Sequence, residues 1–389
     1  MYIRCSKRFL KEMRKYQKVS VLPPEAVGDG AGGLYIWSVS VTVVNRKKTV
    51  VFENERVRNL VVLHNLTGRD WRNLEALFLE GLRVSLEEEG ILPEVIETYL
   101  SASGPIFYGE IPDRSGIARI AWAGRDAGRF PEFYDAHSVV QRRGALSFND
   151  RFLKMGEGRY ENVHDRLLSE LCILLGLLPS EGAKIRKIKT YLLRIRMNLK
   201  GHSAERFVKI PASATFHTLH RAVMITFGWK DAHFHEFTVF DETKPFFPLE
   251  PFCMWPIQAY IVEETDPQLF DFYDPSRYEI YYESYTRLYE IFDHVGGLVY
   301  TYDMADTWEH IITLEDILEN GEEHPVLVKR IGTRPPENVG GAEGYAEYLR
   351  VVNDPDNPDY ERVRFWAESQ KEQEKTMEEL NRRLRIYIR

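Results

Sequence analysis

Two stretches carry the residues whose types and spacing could do chemistry: His233-Phe234-His235-Glu236-Phe237, and Tyr300 to His310, which holds Asp303, Asp306, Trp308 and Glu309. Both read as strands. Alternation along a strand puts His233, His235, Phe237 and Val239 on one face, with Glu236 and Thr238 on the other. In the second stretch Trp308, His310, Ile312 and Leu314 share a face. If both apolar faces meet one core, His235 and His310 stand at its polar margin. A His-x-His pair projects two imidazoles from one side of a strand, which suits a divalent metal, and Asp303 and Asp306 at the turn could complete the shell. The metal-ligand set is therefore His233, His235, Asp303, Asp306 and His310. Glu236 or Glu309 could act as general acid or base once burial raised its pKa. With Trp308 these residues make a candidate ligand-binding margin. A plainer reading stands beside it: turn aspartates commonly bond their own backbone, strand-end histidines are often satisfied core residues, and Trp229 and Trp308 can be core anchors.

The elements that must position these residues are legible around them. Tyr191, Leu193, Ile195, Met197 and Leu199 alternate with Leu192, Arg194, Arg196 and Asn198, the clearest half-buried strand in the chain. Thr215 is placed to cap a helix with Leu219, Val223 and Phe227 on its inner face, and Gly228 to end it. His217 and His220 lie on that helix three residues apart; with no carboxylate nearby in sequence they read as surface residues. An acidic, aromatic stretch at Glu250–Tyr282 precedes a helix at Tyr285–Phe292. A hairpin follows, Leu298–Asp303 and Trp308–Leu314, turning at Met304–Thr307. Val326–Ile331 adds a strand, and helices at Gly344–Val352 and Tyr360–Leu384 close the chain, the last with mixed charge through Lys371, Glu372, Glu374 and Lys375. This order suggests a mixed or antiparallel sheet with helices on one face.

A basic run spans 184–209 and includes Lys184, Arg194, Arg196, Arg206 and Lys209 against Glu205 alone. Arg194 and Arg196 share the solvent side of their strand and could contact nucleic-acid phosphates. A solvated sheet face neutralised by the acidic segment Glu263–Glu283 is the favoured reading, since the 389-residue chain has a net charge of −8.

The first half reads as a strand meander (Leu34–Val44, Thr49–Glu53, Asn59–His64, with Asn45-Arg46-Lys47-Lys48 as a reversal), then a helix. Thr67 or Asp70 caps that helix, Trp71, Leu74, Phe78 and Leu82 give its inner face, and Gly90 ends it. Pro93 opens a short helix through Leu100, and another runs from Asn162 to Leu175. Gly28-Asp29-Gly30-Ala31-Gly32-Gly33 fits a dinucleotide-binding pattern, but it precedes a strand instead of joining a strand to a helix, and reads as a loop. Three cysteines, Cys5, Cys172 and Cys253, are far apart and suit a reducing compartment without a thiolate zinc site. No apolar leader or stretch of transmembrane length is present, so a cytoplasmic location and no membrane partner are expected. Hydrophobic content of 44% supports substantial cores. The division expected is 1–178, a linker at 179–189, and 190–389, each half α+β.

Several ordered matches across the second half carry a family resemblance. They are Leu219-His220-Arg221-Ala222, Phe227-Gly228-Trp229, His233 to Phe237, Tyr302-Asp303 with Asp306 and Trp308-Glu309-His310, Pro335-Pro336-Glu337, Gly340-Gly341 and Gly344-Tyr345. From Thr190 to about Leu384 the chain resembles the plasmid pRiA4b ORF-3-like family, also called IS1096 TnpR-like. Met304-Ala305 stands where the family usually has Phe-Gly, Ala204-Glu205-Arg206-Phe207 replaces a Pro-Pro-x-Trp-Arg-Arg element, and Arg334 replaces a cysteine, which removes the residue a thiol role would need. The resemblance implies an α+β domain found in bacteria, archaea and mobile elements, without a settled activity. The start Ile3-Arg4-Cys5, the Asn45 to Lys48 reversal and the Trp71 helix are similar to a prokaryotic and phage domain family of unknown function.

Three functions follow in order of preference. The first is a binding or regulatory protein that takes an unidentified protein or small ligand at the His/Asp/Trp margin. The second is a metal-dependent hydrolase or nuclease using the five His and Asp residues. The third is a nucleic-acid-binding module using Arg194, Arg196 and flanking lysines.

Overall fold

The structure, a computed structural model, describes residues 1–23, 33–129, 134–155, 158–240, 256–263, 273–319, 321–370 and 375–387. The glycine run at 28–32, Cys253, Lys371, Glu372, Glu374 and much of the Glu250–Tyr282 stretch lie outside these residues. The chain divides into two units, Met1–Lys187 and Ile188–Arg389, both α+β. Of the segment expected to link them, Pro179–Ile185 forms a 3-10 turn, and Ile185 is buried in the core of the first unit. Among the described residues no helix is long and apolar enough to cross a membrane.

The first unit orders its strands and helices as β1 (Tyr2–Cys5), α1 (Lys7–Met13), β2 (Val21–Leu22), β3 (Ile36–Val44), β4 (Lys47–Asn54), β5 (Leu60–His64), α2 (Gly68–Arg72), α3 (Leu74–Glu88), α4 (Pro93–Ala102), β6 (Phe107–Glu110), α5 (Arg114–Ala127), α6 (Ala145–Asn149), β7 (Phe152–Met155), β8 (Arg159–Asn162) and α7 (Val163–Leu174). Among the described residues its larger sheet runs β2-β6-β1-β3-β4-β5. β3, β4 and β5 form the expected meander, and the reversal is tighter than expected: Asn45 and Arg46 alone make it, both at positive φ. That backbone matches the twist of paired strands. β1, which the sequence reading did not mark as a strand, lies centrally and pairs in parallel with β3 and β6. Thr67 caps α2 in a capping box with Asp70, which turns Trp71 inward against Phe9 and Tyr16.

The second unit orders its elements as β9 (Thr190–Met197), β10 (Glu205–Pro211), α8 (Phe216–Phe227), β11 (His235–Phe240), β12 (Ile257–Val262), β13 (Glu279–Tyr282), α9 (Leu288–Phe292), β14 (Gly297–Tyr302), β15 (Trp308–Leu318), β16 (Val326–Ile331), α10 (Gly341–Val352), α11 (Tyr360–Gln370) and α12 (Met377–Tyr387). Among the described residues one sheet runs β13-β12-β11-β14-β15-β9-β10-β16, antiparallel except for β12 with β13. Alternation on β9 works as read: Tyr191, Leu193, Ile195 and Met197 join one core with Phe237 and Val239 of β11, Ile312 of β15 and Leu219 and Val223 of α8. Thr215 accepts from the Thr218 N–H at the start of α8, and Gly228 ends it in the left-handed region. The terminal helix expected at Tyr360–Leu384 is two helices, α11 and α12.

The turn between β14 and β15 is locked to the start of α10. Asp306 accepts from the Gly340 N–H at 3.2 Å, and a Cβ on Gly341 (φ +64) would fall 2.6 Å from the Asp306 carbonyl oxygen. Gly340 also has positive φ, but a Cβ there would meet only ordinary contact. Gly341→Ala should therefore cost about 3 kcal/mol against about 1 for Gly340→Ala. Urea unfolding measures both, and equal losses would reject the close approach as the cause.

Candidate binding site

β11, β14 and β15 bring the predicted residues to adjacent strands, with His235 opposite Tyr302 and Tyr300 opposite His310. The side chains nevertheless do not converge. His310 is fully buried and both ring nitrogens are used: Nδ1 donates to the Trp308 carbonyl at 3.0 Å, and Nε2 accepts from Trp229 Nε1 at 3.2 Å. Burial, opposed by backbone hydrogen bonding, brings its pKa down to about 4, so the ring is neutral and its lone pair is occupied. Asp303, at positive φ, accepts the N–H groups of Ala305 and Asp306 at 3.0 and 3.3 Å, and its other oxygen stands 3.5 Å from His233 Nδ1. Glu309 accepts from Asn198 at 2.7 Å, while Glu236 accepts from the Tyr273 hydroxyl and is raised by burial. Trp308 stacks on Trp229 in the core. Among the described residues no group of three or more His, Cys, Asp or Glu side chains could hold a metal ion.

His235 instead belongs to a buried network that corrects the surface reading of His220, whereas His217, at the edge of that network, is exposed as read. His220 is 2% exposed, and its ring lies flat on that of His235 with centroids 3.6 Å apart. His220 Nε2 donates to Asp231 at 2.9 Å, while its Nδ1 pairs with the Tyr300 hydroxyl at 2.8 Å. Glu283, 1% exposed, receives His217 on one oxygen at 2.8 Å and His235 on the other at 2.7 Å. Burial opposes its charge, but the two histidine hydrogen bonds prevail and hold its carboxyl at about 2. The carboxylates these histidines needed lie beyond the helix, Asp231 11 residues from His220 and Glu283 66 residues from His217. His235 Nδ1 has no hydrogen-bond partner among the described residues.

A cavity of about 420 Å³ opens at the other end of α8. Arg206 makes part of its wall; although counted in the basic stripe, it is 3% exposed. Its Nε donates to the Thr226 carbonyl at 2.7 Å, and Nη1 reaches the carbonyls of Glu205, Ile331 and Gly332 at 2.8, 3.0 and 3.2 Å. Its face packs on Phe227, 4.3 Å from the ring centroid. Burial first, then the nearby Arg330 guanidinium, lowers its pKa to about 10, which leaves it charged at neutral pH. Arg334 stacks on Trp229 and donates from Nε and Nη2 to the Gly228 carbonyl at 3.1 and 2.7 Å. The two arginines thereby satisfy carbonyls that the end of a helix leaves open, at the negative end of its dipole. Tyr345, Tyr348, Leu349 and Leu380 supply the apolar wall.

Of the proposed phosphate contacts, Arg194 pairs with Glu205 at 2.9 Å and lies over Phe207. Arg196 borders a polar recess of about 400 Å³ with the turn at 198–203.

The His310 environment fixes a pH dependence. Its folded pKa lies below the unfolded value near 6.5, so the stability it contributes is present above pH 6.5 and is lost as pH falls towards about 4. The loss is on the order of 3 kcal/mol. Urea unfolding of wild type and His310→Gln across that interval checks this: the variant should show the flatter slope, and parallel slopes would reject the assignment.

Comparison with known proteins agrees with the division into units. Residues 189–380 match the family model for plasmid pRiA4b ORF-3-like protein, and residues 2–164 match a domain of unknown function, DUF6933. An uncharacterized protein, y4hQ, of Sinorhizobium fredii (strain NBRC 101917 / NGR234) is 27% identical over 171 residues, 42% of this chain and 73% of that protein. A crystal structure of a protein of unknown function, MM3350, from Methanosarcina mazei Go1 is 26% identical, with a TM-score of 0.38, covering 49% of this chain and 95% of that one. The second unit is thus a plasmid pRiA4b ORF-3-like domain, carried in one chain with a unit that matches a domain of unknown function.

Proposed function

We propose that this is a binding protein whose second unit takes a small ligand in the cavity at the C-terminal end of α8. The observation that carries this reading is the cavity itself: about 420 Å³, lined both by the cationic Arg206 and Arg330 and by Tyr345, Tyr348 and Leu349. Such a volume suits a small organic molecule, and convergent polar groups on an otherwise apolar lining are what orient one. The margin favoured by sequence is a weaker place for a ligand, since His310, Asp303 and Glu309 have their hydrogen-bonding atoms engaged within the protein. A hydrolase reading lacks a group of metal-ligating side chains among the described residues. For the nucleic-acid reading, Arg194 is already neutralised by Glu205.

Amide chemical-shift mapping with a set of fragment-sized molecules tests the site. Shifts should concentrate on Gly228, Tyr345, Tyr348 and Leu349. Leu349→Trp, which fills the space from a half-buried position, should abolish them while lowering the melting temperature by no more than a few degrees. Shifts centred on His233 and Asp303 would move the site to the hairpin margin and overturn this one.

A further inference from the structure

Resting on the reading of the cavity as a ligand site, we propose that its ligand is an oxyanion, a carboxylate or a phosphate, carried on an aromatic or apolar body. Arg206 supplies the first reason. Its Nε and Nη1 are spent on four backbone carbonyls, but Nη2, which carries two N–H donors, has no partner among the described residues. Nor is that nitrogen sealed into the interior as an unsatisfied atom; it is the end of the guanidinium left to face the cavity that Arg206 lines. Capping α8 accounts for Nε and for Arg334, but not for a nearly buried guanidinium with one end open.

Charge supplies the second reason. The chain is acidic overall, yet the cavity gathers Arg206, Arg330, Arg334 and Lys375; Arg334 has Glu337 at 3.6 Å, but no Asp or Glu is among the described lining residues. Arg330 is close enough for its charge to press on that of Arg206. Like charges held together in a confined space are relieved by an anion between them, and a guanidinium N–H to an anionic oxygen is among the stronger hydrogen bonds. The aromatic body follows from the rest of the lining. Tyr345 and Tyr348 stack with centroids 5.8 Å apart, and Leu349, Val352 and Leu380 continue the surface. A bare inorganic ion would leave that surface uncovered.

Isothermal titration of the full chain at low ionic strength with phenyl phosphate, benzoate, benzyl alcohol and inorganic phosphate separates the possibilities. The aromatic anions should bind about tenfold or more tighter than benzyl alcohol, and tighter than inorganic phosphate. The ratio of phenyl phosphate to benzoate tells which oxyanion is preferred. Arg330→Gln and Arg206→Lys should each weaken the anions about tenfold and leave benzyl alcohol unchanged. Because Arg206 also ties four carbonyls and its replacement can unfold the domain, Arg330→Gln, checked by circular dichroism, keeps the proposal falsifiable. Benzyl alcohol binding as tightly as the anions would overturn the oxyanion assignment while leaving the cavity a ligand site. Inorganic phosphate matching phenyl phosphate would overturn the aromatic body. Failure of both aromatic anions to bind, or anion binding unaltered by both Arg330→Gln and Leu349→Trp, would overturn the proposal.

Discussion

The open carbonyls at the C-terminal end of α8 are the constraint around which the second unit is built. A helix ends with acceptors that its own backbone cannot satisfy, and here the residues of that last turn, Ile225 to Phe227, are buried. Two guanidiniums resolve the problem from different parts of the chain: Arg206 of β10 takes Thr226, and Arg334, after β16, takes Gly228. Each also stacks on an aromatic ring, Phe227 and Trp229 respectively. An arginine suits this place because its planar fork donates in several directions while its face packs like an apolar group. The cavity is a by-product of that solution, bounded by the arginines that cap the helix and by the α10 and α12 side chains that pack beside them.

The opposite end of α8 is anchored by carboxylates. Glu283 receives His217 and His235, Asp231 receives His220 and Arg221, and the backbone N–H groups of Phe216 and His217 reach Thr286 and Glu283. A buried carboxylate with two histidine donors is strongly held as the anion, so the network favours one placement of α8 over alternatives that would strand a charge. Glu337 does related work beyond the helix end, taking the Tyr302 hydroxyl and the Lys230 N–H, which ties the Pro335-Pro336-Glu337 segment to the loop before β11. The motif residues that looked chemical are in large part the means by which loops are held to a helix and a hairpin.

Glu53 shows the same physics in the first unit. It is fully buried on β4 beside Arg58, with Arg119 further off, and burial pushes its carboxyl up against the pull of those cations. Nothing in the alternation of β4 marks it as different from a neighbour facing solvent. What distinguishes it is the company of cations, Arg58 at 2.8 Å and, arriving later in the chain on α5, Arg119 at 3.9 Å. β1 was missed because a strand of four residues, with Arg4 its one partly exposed position, is too short to show alternation.

Local order was legible because its causes are local. Alternation on β9, the Thr215 cap, the Gly228 stop and the β14–β15 hairpin each depend on residues within a few positions of one another, and so the α+β class of both units could be read from the chain. The sequence also singled out His235, Asp303 and His310, but not what they would meet. Tertiary structure alone decided that. Glu283 lies 66 residues from His217 and 48 from His235, and Ile331 lies 125 residues from Arg206, so no spacing rule could pair them. A polar side chain takes its role from the donor or acceptor that folding brings within about 3 Å, and over such separations only the packed sheet and helices set that distance.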